Sequence, residues 1–96
     1  MTNTLSISHE LFNGIISHCK ETYPNEACGL LAGKTNNIKS VYKITNIRQS
    51  KIDYEMDPKE QLKCEKEIKD SGLKVIGIYH SHPSTQAYPS QTDVMR

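Results

Sequence analysis

Two histidines separated by one residue, His80 and His82, are the residues of this chain whose types and spacing best suit metal chemistry. Seven residues separate His82 from Ser90, and Asp93 lies three positions beyond that serine. Two imidazole nitrogens and one carboxylate oxygen can supply three ligands to a divalent metal and leave a fourth position open. An open position is typical of a catalytic zinc site, whereas a structural site is closed. The pattern therefore predicts metal-assisted hydrolysis, in which the metal activates a water molecule.

An apolar run from Leu73 to Tyr79 immediately precedes the two histidines and predicts a central β-strand. Because side chains alternate along a strand, residues two apart point to the same side. His80 and His82 can therefore face one metal ion while Ser81 points away. On its own, however, such a pair at a strand end is more often a surface or core feature than a metal site.

The segment from Ser90 to Asp93 has an ordinary interpretation as well, because a serine followed three places later by an acidic residue is a common start of a helix. We expect Ser90 to open a helix whose first turn carries Asp93. The preceding residues 83–89 include two prolines and predict a loop. Short motifs often match by chance, so the metal hypothesis depends on the joint spacing and not on either piece alone.

Hydrolysis also requires a general base, and the candidate in this chain is Glu26. It begins the apolar run 26–33, which predicts a buried strand in which Gly29 would let neighbouring backbone approach closely. Without the rest of the pattern, Glu26 could equally be a solvated residue at a strand entrance. Cys28 could lie near the metal or be a small buried hydrophobe. The hydroxyl of Ser90 is the candidate donor for a developing oxyanion.

The remaining elements are predicted from apolar periodicity, capping residues and turn residues. They are a short strand at Leu5 and Ile7, a helix from the N-cap Ser8 to about Thr22, a strand over Ile38–Ile44, and a helix capped by Asp57 and ending before Gly72. Leu62 and Ile68 are expected to form a thin apolar face on the second helix. The stretch from Asn46 to Asp57 is polar and irregular.

Four side chains outside these groups are weaker candidates for a site. His9 and His18 have no partner pattern and are expected at the surface. Tyr79 and Tyr88 flank the histidine motif, where they could line a substrate groove or simply pack.

The composition excludes several classes of function. The chain has 96 residues, with 12 basic and 11 acidic side chains and a formal net charge of +1. This length fits one domain with a modest core, and the near balance of charge argues against a nucleic-acid partner. The longest apolar runs are too short to span a bilayer, and no secretory signal is visible, so no membrane association is expected. Three cysteines without C-x-x-C spacing indicate reduced thiols in a cytoplasmic protein.

Taken together, Glu26 with the following Ala-Cys-Gly-Leu-Leu-Ala-Gly, the His80-Ser-His82-Pro run and the Ser90-Gln-Thr-Asp93 segment resemble the JAMM motif. This motif is the signature of the MPN-plus (Mov34-type) zinc metalloproteases, which include small prokaryotic members. The resemblance covers most of the chain in element order and matches every motif position.

The resemblance implies roles for five residues. His80, His82 and Asp93 would be zinc ligands, Glu26 the acid and base, and Ser90 the stabiliser of the oxyanion. It also implies one α/β domain over residues 1–96, with a curved mixed sheet flanked by helices in a layout like that of cytidine deaminases. Family members cut peptide or isopeptide bonds after the C-terminal Gly-Gly of ubiquitin or ubiquitin-like proteins. The small bacterial ones resemble processors of sulfur-carrier proteins, and some release cysteine from a carrier adduct.

The family pattern normally continues beyond the Ser-x-x-Asp, whereas only three residues follow Asp93 here. Short isolated helices are marginal and chain ends fray, so we expect these 96 residues alone to hold zinc weakly or not at all. Three accounts are open: a fragment of a longer protein, which we favour; a site completed by a homo-oligomer or a partner; or a degenerate site. The alternative function is a non-catalytic binding module, because folds of this type also serve as scaffolds.

Overall fold

The computed structural model describes residues 4–50, 52–82 and 94–95 of the protein. Its elements are α1 (His9–Thr22), β1 (Cys28–Lys34), β2 (Asn37–Ile44), α2 (Pro58–Asp70), β3 (Lys74–His80) and β4 (Val94–Met95). Two helices and a four-stranded sheet confirm the predicted α/β class. Among the described residues, neither helix combines the length and the apolar character that crossing a membrane requires.

The strands form one sheet in the order β2-β1-β3-β4, and each neighbouring pair is antiparallel. The strand predicted at Leu5 and Ile7 is reduced to a single parallel bridge between Ser6 and Asn37. Helix α1 begins at His9, only three residues after the bridge, so the chain has no room to extend the pairing. β1 and β3 lie inside the sheet, as expected from their apolar runs.

Both helices start and end where their capping residues predict. The Ser8 hydroxyl accepts a hydrogen bond from the backbone N–H of Leu11, and Asp57 accepts from the first turn of α2, with Pro58 next in the chain. α2 ends at Asp70, and Gly72 follows with a φ of +77°. Local sequence therefore sets these boundaries.

The predicted apolar face of α2 is wrong at one position. Leu62 is 69% exposed, whereas Ile68 is buried and Cys64 packs beside it. Residues four apart share a helix face and residues six apart do not, so Cys64 and not Leu62 accompanies Ile68.

β1 is buried on both faces because a helix covers each side of the sheet. One core cluster joins α1 to the sheet and contains Ile15, Cys19, Ala27, Leu31, Ile38 and Tyr79. The other joins α2 to the sheet and contains Leu30, Ala32, Ile44 and Ile68. Alternate residues of β1 thus enter opposite cores, which fixes the register and orientation of the strand from its first residue, Cys28, two positions after Glu26.

Gly29 lies where two strands leave no room for a side chain. A Cβ atom built there would overlap the Tyr79 ring and come within 2.5 Å of the Tyr42 carbonyl oxygen. We expect Gly29→Ala to lower the free energy of unfolding by about 1–3 kcal/mol, the usual cost of overpacking a core. Gly14→Ala is the matched control, because a Cβ atom at that position meets nothing within 4 Å. That change should raise stability by about 0.5–1 kcal/mol through helix propensity. Urea unfolding of both variants measures the difference, and equal effects would contradict this account of Gly29.

His18 is half-buried, contrary to the expected surface position. Its Nδ1 atom is joined by a 2.6 Å hydrogen bond to the hydroxyl of Tyr79, a core residue that packs and does not line a groove. Burial lowers the pKa of His18 below 6.5, and the Lys43 charge lowers it further, against the opposing effect of Glu21.

A group whose pKa is lowered by folding binds more protons when unfolded, so stability is lost as the pH falls. We expect the free energy of unfolding to decrease as the pH drops below 6.5, with His18 responsible for part of the slope. His18→Gln should flatten that part of the profile, whereas His9→Gln, at an exposed position, should leave it unchanged. Urea unfolding at several pH values measures this dependence. If the free energy of unfolding changed with pH by the same amount in both variants, His18 would not be responsible for the slope.

Candidate active site

The antiparallel register of β1 and β3 brings Glu26 to the histidine pair. Cys28 pairs with His80, and the backbone N–H of Ser81 donates to the carbonyl of Ala27 at 3.1 Å. Continuing this register by one more residue aligns Glu26 with His82. Because residues paired across two strands point to the same face, both histidines and the glutamate share one side of the sheet.

Three potential ligand atoms converge at this point. One carboxylate oxygen of Glu26 and one ring nitrogen each of His80 and His82 all lie within 4.8 Å of one another. The side chain of Glu26 is 5% exposed and that of His80 is 18% exposed, so the cluster is largely shielded from water. Such a group, built from a carboxylate and two imidazoles, has the donor types that divalent zinc prefers.

Two atoms of the cluster lack hydrogen-bond partners within the described part of the chain. Glu26 Oε1 and His80 Nδ1 are both buried and unsatisfied, and they lie 3.5 Å apart. Buried polar atoms are nearly always partnered in folded proteins, so an unpartnered pair needs an explanation. A divalent cation that accepts an electron pair from an imidazole and neutralises a nearby carboxylate would provide one. The residues present therefore fit a metal ion.

Burial is the main electrostatic effect on Glu26. Loss of water raises the pKa of this carboxyl above its usual value, while the charges of His80 and His82 act in the opposite direction. A carboxyl group held in this way is easier to protonate than an exposed one. That property suits a group that takes up a proton and returns it.

The backbone around the cluster is tied down at several points. The Ser81 hydroxyl accepts a hydrogen bond from the N–H of Ala27 at 2.9 Å, so Ser81 points away from the histidines as strand alternation predicts. The N–H of Glu26 donates to the Ser50 carbonyl at 2.6 Å, and the Glu26 carbonyl accepts from the Asn46 side chain. The residue that carries the carboxylate is thus held on both sides.

Asn46 organises the segment between β2 and α2. Its amide group donates to the carbonyls of Glu26 and Asp53 and accepts from the N–H groups of Arg48 and Glu55, at distances of 3.0–3.2 Å. All the hydrogen-bonding capacity of a buried amide is therefore used. This role could not be predicted from the sequence, because an asparagine in a polar, irregular stretch is typical of any loop.

Replacing Asn46 should lower the free energy of unfolding by more than is usual for a loop residue. Asn46→Ala leaves buried carbonyl and N–H groups unpaired, and we expect the free energy of unfolding to fall by at least about 2 kcal/mol. Asn13→Ala, at an exposed helical position, is the matched control and should be neutral or slightly stabilising. Urea unfolding checks the pair; a loss below about 0.5 kcal/mol for Asn46→Ala would mean that water replaces the amide at little cost.

Tyr54 is a second residue that sequence reasoning missed. Its ring stacks on the imidazole of His80, with ring centres 4.8 Å apart and planes inclined by 22°. The ring of His82 meets His80 edge-on, at 4.5 Å and 84°. An isolated tyrosine in an irregular segment has no spacing pattern that could have predicted this contact.

Cys28 behaves as a core residue. Its thiol is fully buried and contacts the Ile44 carbonyl at 3.5 Å. Burial, with smaller effects of the Glu26 and Glu60 charges, raises its pKa to about 11. The thiol therefore stays protonated at neutral pH, unlike the thiolate that binds metals.

The other predicted site residues, Ser90 and Asp93, lie outside the described residues, and so does Tyr88. Of the five residues in the motif, the structure brings together Glu26, His80 and His82.

Comparison with known families identifies the chain's relatives. Residues 8–96 match the family described as prokaryotic homologs of the JAB domain. The chain belongs to this family. The JAMM/MPN resemblance predicted from the motif is thereby confirmed.

Individual members of the JAB family are similar over nearly the whole chain. A CysO-cysteine peptidase from Mycobacterium tuberculosis is 40% identical over 92 residues, which cover 94% of this chain and 63% of the relative. A desampylase from Haloferax volcanii is 31% identical, covering 96% and 71% of the two chains. The solution structure of a Desulfitobacterium hafniense protein superimposes with a TM-score of 0.77 at 35% identity, covering 94% and 64%. The chain thus spans less than two thirds of the mycobacterial relative's length.

Proposed function

We propose that this JAB-family chain carries the active site of a zinc-dependent metallopeptidase or isopeptidase. It would hydrolyse the bond after the C-terminal Gly-Gly of a ubiquitin-like or sulfur-carrier protein. The observation that carries the proposal is the convergence of Glu26, His80 and His82, with two buried atoms that have no hydrogen-bond partner among the described residues. Family membership supports the same chemistry.

In this proposal, His80, His82 and Asp93 hold the zinc ion. Zinc supplies a Lewis acid that lowers the pKa of water and polarises a carbonyl group. The two imidazoles contribute neutral nitrogen ligands from a rigid strand end, where the Ser81–Ala27 hydrogen bonds fix the backbone. Asp93 contributes the anionic ligand.

Glu26 is the proton carrier of the proposed reaction. Its carboxylate oxygen Oε1 faces the cluster and makes no hydrogen bond to the described residues, so it is free to accept a proton from the attacking water. The same group can then deliver that proton to the leaving amine. Ser90 supplies the hydroxyl that donates to the oxyanion of the tetrahedral intermediate.

The names of two relatives support the proposed substrate class. One is named a CysO-cysteine peptidase and another a desampylase. A Gly-Gly tail is narrow and flexible, so it can enter a site enclosed by side chains and lie extended beside the sheet. A cytoplasmic location is part of the proposal, since Cys19, Cys28 and Cys64 form no disulfide bond with one another.

Cleavage of a fusion protein tests this function. The substrate is a sulfur-carrier protein whose Gly-Gly tail is joined to a reporter peptide, and the enzyme is the protein encoded by the complete gene. We expect a product that ends in Gly-Gly by mass spectrometry, loss of activity with a chelator, and recovery with zinc. A fusion with Ala-Ala in place of Gly-Gly is the matched control and should remain intact. Zinc binding with an uncut Gly-Gly fusion would instead favour the non-catalytic binding module.

A further inference from the structure

We infer that Tyr54 is a positioning residue, which fixes the orientation of the His80 ring within the site. This inference rests on the proposed function, because it assigns Tyr54 a purpose toward a metal held by His80. The carrying observation is the stacked contact, with the two ring planes inclined by only 22° and their centres 4.8 Å apart.

The His80 ring needs an external constraint. The torsion that turns an imidazole about its Cβ–Cγ bond has broad minima, so the backbone alone does not choose the ring's orientation. Metal-binding histidines are usually oriented by a hydrogen bond from the ring nitrogen that does not bind the metal. At His80, neither ring nitrogen has a hydrogen-bond partner among the described residues, whichever of the two binds the metal, and the buried Nδ1 lies 3.5 Å from Glu26 Oε1.

Stacking supplies the missing constraint. A flat ring lying against the imidazole face blocks rotation out of the common plane, because the turned imidazole would collide with the phenol. The His82 ring lies nearly perpendicular to the His80 ring, whereas the Tyr54 ring lies nearly parallel to it. Such aromatic pairs are stabilising beyond the area that they bury.

Tyr54 can act in this way because its own backbone is fixed. The Asn46 side chain donates to the carbonyl of Asp53 and accepts from the N–H of Glu55, the two residues that flank Tyr54. The same side chain donates to the carbonyl of Glu26. The buried amide of Asn46 therefore fixes the backbone on both sides of Tyr54 and also the backbone at Glu26.

The test compares Tyr54→Phe, which keeps a flat ring, with Tyr54→Leu and Tyr54→Met, which remove it. Tyr23→Leu, at a position 54% exposed, is the control for loss of a tyrosine. The first readout is NMR of the metal-free protein. In the native protein and in Tyr54→Phe, the His80 ring protons should carry ring-current shifts and show nuclear Overhauser effects to the His82 ring. Both signals should be lost in the leucine and methionine variants.

The second readout is the zinc dissociation constant, measured by competition with a chromophoric chelator. We expect it to rise about tenfold in Tyr54→Leu and Tyr54→Met, within the range seen when a residue supporting a metal ligand is removed. The zinc dissociation constants of Tyr54→Phe and Tyr23→Leu should stay within about twofold of the native value, a difference in binding free energy of under about 0.5 kcal/mol.

The inference is overturned if the His80–His82 contacts persist in both non-aromatic variants, whatever the zinc affinity. It is equally overturned if the contacts are lost while every variant retains native zinc affinity. Because the NMR readout requires neither zinc nor turnover, a failure of the proposed hydrolysis is distinguishable from a failure of this inference.

Discussion

Glu26→Gln should reduce the cleavage of a Gly-Gly fusion by about 100- to 10,000-fold, the usual contribution of a general acid–base group. The amide has the shape of the carboxyl but cannot accept and return a proton at neutral pH. Since the carboxylate is buried and its pKa is raised, removing the charge should not destabilise the fold. Zinc should remain bound, because the proposed ligands His80, His82 and Asp93 are unchanged. The measurements are kcat on the fusion, zinc content and urea unfolding of the same preparation.

Glu21→Gln is the matched control for this variant. Glu21 is an exposed carboxylate that forms a surface ion pair with Lys43 at 3.6 Å, and such pairs contribute little. Its loss should leave kcat and zinc content unchanged. Undiminished cleavage by Glu26→Gln would rule out Glu26 as the base. Loss of zinc in that variant would instead assign Glu26 to the metal ligands.

The second large effect concerns the histidines. His80→Ala and His82→Ala should each weaken zinc binding by more than about 100-fold, because each removes a ligand and not merely a supporting contact. Turnover at limiting zinc should be lost in both. Metal-free stability should change less, because each ring lies at the site and outside the two core clusters. Chelator competition on the protein encoded by the complete gene measures the affinities.

His9→Ala is the control, since His9 is an exposed histidine at the first position of α1. It should bind zinc as tightly as the native protein. If either site variant retained native affinity while the His9 variant lost it, the proposed ligand set would be wrong.

The sequence predicted the parts of this fold that short-range chemistry determines. Ser8 and Asp57 mark helix starts because their side chains satisfy free N–H groups of the first turn. Gly72 marks a helix end because its φ is positive. Apolar runs located β1 and β3, and strand alternation predicted that Ser81 would point away from the two histidines.

Errors arose where a residue's environment depends on distant parts of the chain. His18 looked like a surface residue because its partner, Tyr79, is 61 positions away. Leu62 was expected to share a thin apolar face with Ile68 because both are apolar, but its angle around the helix turns it to solvent.

In the candidate site, too, some residues could be predicted from the sequence and others could not. The histidine pair was predicted from its spacing and from strand alternation, whereas Glu26 was predicted mainly from the resemblance to the JAMM motif. The roles of Tyr54 and Asn46 were not predicted. Neither the stacking contact of Tyr54 nor the four hydrogen bonds of the Asn46 amide produces a periodic sequence pattern in an irregular segment. Only the folded chain brings those residues to Glu26 and His80.

The central claim is that Glu26, His80 and His82 surround a metal ion, and anomalous diffraction tests it most directly. Crystals of the protein grown with zinc are measured on both sides of the zinc absorption edge. The account predicts one strong anomalous peak within about 2.0–2.2 Å of a ring nitrogen of His80 and of His82, with the Glu26 carboxylate beside it. A peak at other residues, or none at saturating zinc, would contradict the account.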